Sequence, residues 1–218
     1  MSNARSNILI RLQSGRPELP EMTEETLKPR PERSLEERID AFRRGMESVR
    51  GEVHIVDKNG WEEKLINLLQ EKEVGTLLYG ARTPLGKALE AAWQKSRPNT
   101  RLINRKDDVN EWKEELFFSI DAAITSTCGG IAETGSLILQ PTVEEPRSYS
   151  LVPPIHIAVL EAQKLHNTFA DVVTRENWSS GLPTNTLLIS GPSKTADIEQ
   201  TLAYGVHGPV ELVVLLLT

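Results

Sequence analysis

The sequence lacks most of the groups that bind metals or form covalent cross-links. Its 218 residues include one cysteine, Cys128, so no disulfide and no cysteine-ligated zinc or iron–sulfur centre can form within the chain. None of its four histidines is spaced from another as metal ligands on a helix are spaced. We therefore expect no metal site and no cofactor in this chain.

Long apolar runs and an excess of positive charge are also missing. The longest apolar run, 210–217, contains Glu211 and is too short to cross a bilayer, and the amino-terminal residues include no signal-peptide core. Acidic residues outnumber basic residues by 31 to 25, which argues against general nucleic-acid binding. The composition thus predicts a cytoplasmic protein with no membrane span and no nucleic-acid partner.

The first fifty residues predict an arm that precedes the main domain. Apolar residues at helical spacing predict a short helix over 3–14, and four prolines within 15–33 predict an extended linker. We therefore divide the chain into a helix with a proline-rich linker over 1–34 and an α/β domain over 35–218. The arm could pack on a partner or on a second copy of the chain, which would make a homo-oligomer, or it could form a mobile tail.

Strand-like and helix-like segments alternate from residue 52 to residue 125. This alternation predicts β-α-β units, and therefore an α/β fold with a mostly parallel sheet flanked by helices. Between 136 and 160 the alternation is interrupted, which predicts a local antiparallel element. The near-continuous apolar run 210–217 predicts a last strand that is buried on both faces.

Individual elements follow from periodicity and from residues that start helices. Ser34 and Glu37 have the spacing of a capping box, and Pro84 suits the first turn of a helix. The predicted helices of the main domain are 34–50, 60–71, 83–94, 110–118, 161–176 and 193–203. The predicted strands are 53–56, 76–79, 102–103, 120–125, 136–140, 150–160, 185–190 and 210–217.

Residues 125–136 form the most informative stretch, because small residues there separate two apolar runs. Small residues let the backbone turn sharply and let another molecule approach it closely. Glu133, in the middle of this stretch, is a candidate catalytic nucleophile or base, or else an ordinary solvated loop residue. The candidate ligand-binding residues of the stretch are Gly129, Gly130, Thr134, Gly135 and Ser136.

A second candidate segment, 190–199, follows a predicted strand and opens a predicted helix. Free backbone amides at a helix start favour an anion, although ordinary capping by Ser193 explains the same residues. Its candidate ligand-binding residues are Gly191, Ser193, Lys194, Thr195 and Asp197.

A third candidate segment, 205–209, presents His207 on a predicted tight loop between Gly205 and Gly208. We take both glycines as candidate ligand-binding residues. His207 is a candidate catalytic acid, base or hydrogen-bond donor, and the alternative is a structural hydrogen bond.

Two weaker possibilities lie outside these sets. Cys128 could be a nucleophile if a nearby helix start or cation favoured its thiolate; a small residue that fills a tight turn is the other interpretation. Arg82, Thr83 and Lys87 follow a predicted strand end, where open parallel sheets bind ligands. They could form part of an anion pocket or could simply be solvated.

Three segments together resemble the lactate utilisation protein C family, whose members contain the LUD domain. They read Thr-Ser-Thr-Cys-Gly-Gly-Ile-Ala-Glu-Thr-Gly-Ser-Leu at 125–137, Gly-Pro-Ser-Lys-Thr-Ala-Asp-Ile-Glu at 191–199, and Gly-Val-His-Gly-Pro at 205–209. They occur in the family's order, and the resemblance covers roughly residues 35–218, with an arm that also resembles the family's arm.

The resemblance implies a bacterial cytoplasmic protein that is needed for growth on L-lactate. Such a protein accompanies two iron–sulfur proteins that oxidise lactate to pyruvate, and it has no redox centre of its own. The implied fold is that of the sugar-phosphate isomerase and CoA-transferase-like group (NagB/RpiA/CoA transferase-like), in which ligands bind at glycine-rich loops beyond the strand ends. We expect the three segments to converge there on one site for a small anionic ligand or a partner.

Two other functions remain open from the sequence. The chain could be a free-standing enzyme that acts on a sugar phosphate or an acyl-CoA, with Glu133 as nucleophile or base and His207 assisting. It could also be a regulatory module that binds a ligand without turnover.

Overall fold

The chain folds into two units in a computed structural model. The described residues are 3–15, 32–105, 110–178, 180–181, 183–196, 202–205 and 207–218. The units are Met1–Glu32 and Arg33–Thr218. In the first, helix α1 (Asn3–Ser14) has four large exposed aliphatic side chains and no acidic residue.

The second unit contains the sheets and the remaining described helices. Its helices are α2 (Leu35–Ser48), α3 (Trp61–Glu71), α4 (Pro84–Ser96), α5 (Lys113–Phe118), α6 (Arg147–Leu151) and α7 (Phe169–Arg175). Its strands are β1 (Glu52–Val56), β2 (Thr76–Leu78), β3 (Arg101–Ile103), β4 (Ala122–Ser126), β5 (Gly129–Ile131), β6 (Ser136–Leu139), β7 (Ile155–Glu161), β8 (Leu165–His166), β9 (Leu187–Ile189), β10 (Lys194–Ala196), β11 (Leu202–Tyr204) and β12 (Glu211–Leu217). No helix within the described ranges is long and apolar enough to cross a membrane.

The main sheet has six strands in the order β1-β12-β7-β4-β2-β3, and every neighbouring pair is parallel. This confirms the predicted α/β fold with a mostly parallel sheet and flanking helices. Because the strands all run in one direction, their carboxyl ends lie along a single edge. The last strand, β12, is buried as predicted and lies between β1 and β7.

Alternate residues of β12 pack into different cores. Val213 and Leu215 belong to the core that α3 and α4 cover, whereas Val214 and Leu216 join Phe42 and other residues in a second core beneath α2. Successive side chains of a strand point to opposite faces, so both faces of the sheet are covered. This explains why the strand reads as a continuous apolar run instead of an alternating pattern.

Two helix starts follow the predicted chemistry. The Ser34 hydroxyl accepts a hydrogen bond from the backbone N–H of Glu37 at 3.2 Å, and the Glu37 carboxylate accepts one from the backbone N–H of Ser34 at 2.8 Å. Both partners of the predicted capping box are therefore in place at α2. At α4, Thr83 caps the helix and Pro84 occupies its first turn.

A smaller sheet, in the order β8-β5-β6-β9, packs beside the main one. Strand β6 pairs antiparallel with both β5 and β9, while β5 and β8 are parallel. An antiparallel element was expected between 136 and 160; β6 is antiparallel, but both of its partner strands, β5 and β9, lie outside that range. Residues 155–161 instead join the main sheet as the parallel strand β7.

Two predicted helices are wrong over much of their length. In place of a helix over 193–203, β10 and β11 form an antiparallel pair, and residues 197–201 lie outside the described ranges. The Ser193 backbone N–H donates to the Pro209 carbonyl, and its carbonyl accepts from Gly205, so both groups are used in extended pairing. Within 161–176, only α7 is α-helical, because Leu165 and His166 pair with β5 as strand β8.

Gly135 generates a stability prediction, because it has a φ of +63° where the β5–β6 hairpin meets α2. A Cβ there would lie 2.5 Å from the backbone N of Met46. We expect Gly135→Ala to lower the free energy of unfolding by about 1–3 kcal/mol in urea denaturation. Gly181→Ala, whose Cβ would meet nothing within 4 Å, is the control. Equal stability of the two variants would contradict this packing.

Candidate functional site

The first set of predicted site residues lies on the β5–β6 hairpin. Glu133 and Thr134 are exposed in its turn, and the Glu133 backbone N–H donates to the Asn167 carbonyl at 3.1 Å. The Thr134 and Ser136 hydroxyl oxygens are 2.7 Å apart, and Ser136 is also 2.7 Å from the Ser190 hydroxyl oxygen. This chain of three hydroxyls joins the hairpin to the end of β9.

Gly129 and Gly130 lie inside strand β5 and are buried, so they do not form an open loop. A Cβ on Gly129 would lie 2.7 Å from the Lys164 carbonyl oxygen, and a Cβ on Gly130 would lie 2.9 Å from the Cδ2 atom of Leu165. Close packing of β5 against its neighbours therefore accounts for both glycines. Their role in ligand binding stays a prediction.

The other two predicted segments lie against each other. The Ser193 backbone N–H donates to the Pro209 carbonyl at 2.8 Å, and a Cβ on Gly208 would lie 3.1 Å from the Cβ of Ser193. Lys194 and His207 are exposed, whereas Asp197 lies outside the described residues.

The remaining candidates of these segments have structural positions. A Cβ on Gly191 would meet Val49, Thr195 lies within β10, and the Gly205 backbone N–H donates to the Ser193 carbonyl at 3.0 Å. No helix begins at Lys194, so the predicted anion site at a helix start has no structural basis there. The exposed residues on these segments and on the hairpin turn, Glu133, Thr134, Ser190, Lys194 and His207, are called the loop surface below.

A cavity of about 380 Å³ lies at the carboxyl-end edge of the main sheet. Residues at or just beyond the ends of β1, β4, β7 and β12 line it, together with the first turns of α3 and α4. Its polar lining consists of Lys58, Ser126, Thr127, Glu161 and Lys164. None of the loop-surface residues lines this strand-end cavity. The cavity is therefore a partly enclosed site that shares Ser126 and Thr127 with the predicted stretch 125–136 but includes none of the loop-surface residues.

Ser126 connects the strand-end cavity to a buried carboxylate. Glu145 is 8% exposed and accepts hydrogen bonds from the backbone N–H and from the hydroxyl of Ser126. Burial raises the pKa of Glu145, and the hydrogen bonds from Ser126 offset part of this rise. Sequence reasoning missed Glu145, because it lies in a polar segment that was assigned to a turn and its partner Ser126 is 19 residues away in the sequence.

The residues that follow β2 are largely committed to structural contacts. Arg82 pairs with Glu144, and the Thr83 hydroxyl accepts from the backbone N–H of Gly86 at 3.0 Å. Lys87 is exposed on α4 and does not line the strand-end cavity. The contribution of this segment to the cavity is the apolar first turn of α4, Pro84 and Leu85.

Neither Cys128 nor the buried histidines are poised for chemistry at neutral pH. Partial burial raises the pKa of the Cys128 thiol, and the charge of Glu176 adds to the rise, so the thiolate is disfavoured. Burial lowers the pKa of His156 to about 3. Its Nε2 atom lies 2.9 Å from the Thr125 hydroxyl. Over the described ranges, no three His, Cys, Asp or Glu side chains are grouped to hold a metal ion.

Comparisons with known proteins identify relatives of the main domain. The LUD domain family model matches residues 39–217. An uncharacterised protein of Neisseria meningitidis is 40% identical over 180 residues, which are 82% of this chain and 76% of that protein. Lactate utilization protein C of Bacillus subtilis is 36% identical over 92 residues, which are 40% of this chain and 38% of that protein.

A second lactate utilization protein C, from an Exiguobacterium species, is 32% identical over 106 residues, which are 47% of this chain and 46% of that protein. The chain thus spans less than half the length of either lactate utilisation protein. The crystal structure of a DUF162 family protein from Deinococcus radiodurans matches with a TM-score of 0.61 and 20% identity, over 86% of this chain and 100% of that one. This match shows a shared fold.

His156 gives a pH prediction. Its pKa is lowered to about 3 from 6.5, so below pH 6.5 the unfolded chain binds more protons than the folded chain. The stability contributed by the neutral His156 is fully present above pH 6.5 and decreases as the pH falls towards 3. We expect His156→Gln to reduce this decrease by up to about 1.4 kcal/mol per pH unit, measured by urea denaturation between pH 4 and 7. An unchanged pH dependence would contradict a neutral buried imidazole.

Glu145 predicts a pH dependence of stability that is opposite to that of His156. Its pKa is raised, so folding favours the protonated form, and stability decreases as the pH rises through the folded-state pKa. We expect Glu145→Gln to melt at or above the wild-type temperature at pH 7.5, because the amide oxygen can still accept from Ser126 without a buried charge. Glu145→Ala should melt lower, since Ser126 loses its acceptor. An equal loss in both variants would contradict this account.

Proposed function

This chain belongs to the LUD domain family, and from that premise we propose that it is a non-redox component of a bacterial L-lactate utilisation system. In this proposal two iron–sulfur partner proteins oxidise lactate to pyruvate in the cytoplasm, and the present chain binds a small anionic ligand and its partners. In this proposal the iron–sulfur clusters belong to the partners, because one cysteine cannot ligate such a cluster within this chain.

The observation that carries the proposal is the similarity to lactate utilization protein C of several bacteria. Seven such relatives are between 31% and 40% identical to this chain over the matched residues. The matches cover about half or less of those proteins, so the whole activity comes to this chain as a proposal. The segments 125–137, 191–199 and 205–209, which resemble the family, lie within the residues that the family model matches.

We assign partner contact to the loop surface. Glu133 and Thr134 are exposed in the hairpin turn, Lys194 at the start of β10 and His207 before β12, and the hydroxyl chain through Ser136 joins the hairpin to the end of β9. Small-molecule sites are usually concave, whereas exposed polar loops on a rigid sheet suit a protein partner. In this proposal the small ligand binds in a more enclosed part of the molecule.

Growth on lactate tests this proposed function. We expect deletion of the gene to abolish growth on L-lactate as the sole carbon source and to leave growth on glucose unchanged. A plasmid that carries the intact gene should restore growth on L-lactate. Unimpaired growth of the deletion strain on L-lactate would contradict the proposal.

A turnover assay with the purified chain and a panel of sugar phosphates and acyl-CoAs separates this function from the enzyme alternative. Glu133→Gln keeps the size of the side chain and removes its charge, so it abolishes action as a nucleophile or base. Under the enzyme alternative the intact chain turns over a sugar phosphate or an acyl-CoA, and a folded Glu133→Gln protein does not. Under the proposed function neither protein turns over these substrates, so turnover by the intact chain that is lost in Glu133→Gln would favour a catalytic Glu133.

A further inference from the structure

The strand-end cavity has the size and position of a small-molecule site. Its volume of about 380 Å³ falls within the range of roughly 300–1,000 Å³ that is typical of such sites. It lies beyond the carboxyl ends of parallel strands, where open α/β sheets bind ligands. Trp61, Leu85 and Leu217 provide apolar walls, and the polar groups are concentrated in a few side chains.

The charges in the cavity leave one positive charge in excess. Lys58 Nζ lies 3.1 Å from one Glu161 carboxylate oxygen, and Lys164 Nζ lies 2.8 Å from the other. Two ammonium groups thus share one carboxylate, in a protein whose overall charge is −6. Ion pairs between exposed side chains contribute at most about 1 kcal/mol, so an incoming anion can replace Glu161 at low cost.

The two hydroxyl groups in the cavity already donate hydrogen bonds to acceptors within the protein. The Ser126 hydroxyl donates to Glu145, and the Thr127 hydroxyl donates to the Val159 carbonyl at 2.9 Å. Each hydroxyl carries one hydrogen and two lone pairs, so towards the cavity both can only accept. A ligand that satisfies them must therefore carry its own hydrogen-bond donor.

We propose that the strand-end cavity binds a small hydroxycarboxylate. Lys58 and Lys164 bind its carboxylate in place of Glu161, and Ser126 accepts a hydrogen bond from its hydroxyl. Glu145 is a positioning residue, because it holds the Ser126 hydrogen away from the ligand. The choice of L-lactate as a probe rests on the proposed function, whereas the class of ligand rests on the cavity alone.

Titration calorimetry with the full chain tests this site with two matched pairs of ligands. L-lactate is compared with propionate, which lacks the hydroxyl, and D-gluconate with hexanoate, because the cavity also admits a six-carbon acid. We expect at least one hydroxycarboxylate to bind more tightly than its matched acid. Lys58→Met with Lys164→Met should weaken that binding by about tenfold or more. Lys95→Met, in an exposed lysine on the far end of α4, should leave it unchanged.

Ser126→Ala separates recognition of the hydroxyl from recognition of the charge. This variant should lose the preference for the hydroxycarboxylate over its matched acid, while the lysines still bind either carboxylate weakly. No binding of either hydroxycarboxylate, equal binding of the matched acids, or undiminished binding by the double lysine variant would overturn the proposal. If growth on L-lactate requires the gene but these titrations fail, the site assignment is wrong and the proposed function stands.

Discussion

The parallel alignment of the six main strands is the constraint on which the rest of the structure depends. It collects the residues that follow β1, β4, β7 and β12 at one edge, although they are as far apart in the sequence as Lys58 and Leu217. The arrangement is held by burial of β12 on both faces, with α3 and α4 over one face and α2 over the other. Burial of apolar side chains stabilises the sheet, and the sheet in turn positions the residues that line the cavity.

The molecule separates two kinds of candidate binding surface. The loop surface consists of exposed polar residues on the small sheet and its neighbouring loops, which suits contact with another protein. The strand-end cavity is partly enclosed, with two lysines around Glu161 and a serine whose hydrogen is held by Glu145. In the proposed function, the loop surface contacts the partners and the strand-end cavity binds the molecule on which the system acts.

The fold was predictable from the sequence to a greater extent than the site. Alternating periodicity and the apolar last strand specify a parallel sheet, because each reflects burial along a single element. The prediction of a helix over 193–203 was wrong, because backbone hydrogen bonds between Ser193 and both Gly205 and Pro209 override the local helix propensity. Glycines that suggested an open loop, such as Gly129, instead allow close packing of strands. Glu145 could not be identified, since its role exists only once β4 brings Ser126 beside it.

A crystal structure of the full chain, grown with a saturating concentration of the hydroxycarboxylate that binds more tightly, L-lactate or D-gluconate, would test the central claim most directly. The account predicts this acid in the strand-end cavity, with its carboxylate between Lys58 and Lys164, Glu161 turned aside, and a hydroxyl within hydrogen-bond distance of Ser126. The acid bound at the hairpin turn beside Glu133 instead, or a cavity in which Glu161 still pairs with both lysines, would contradict it.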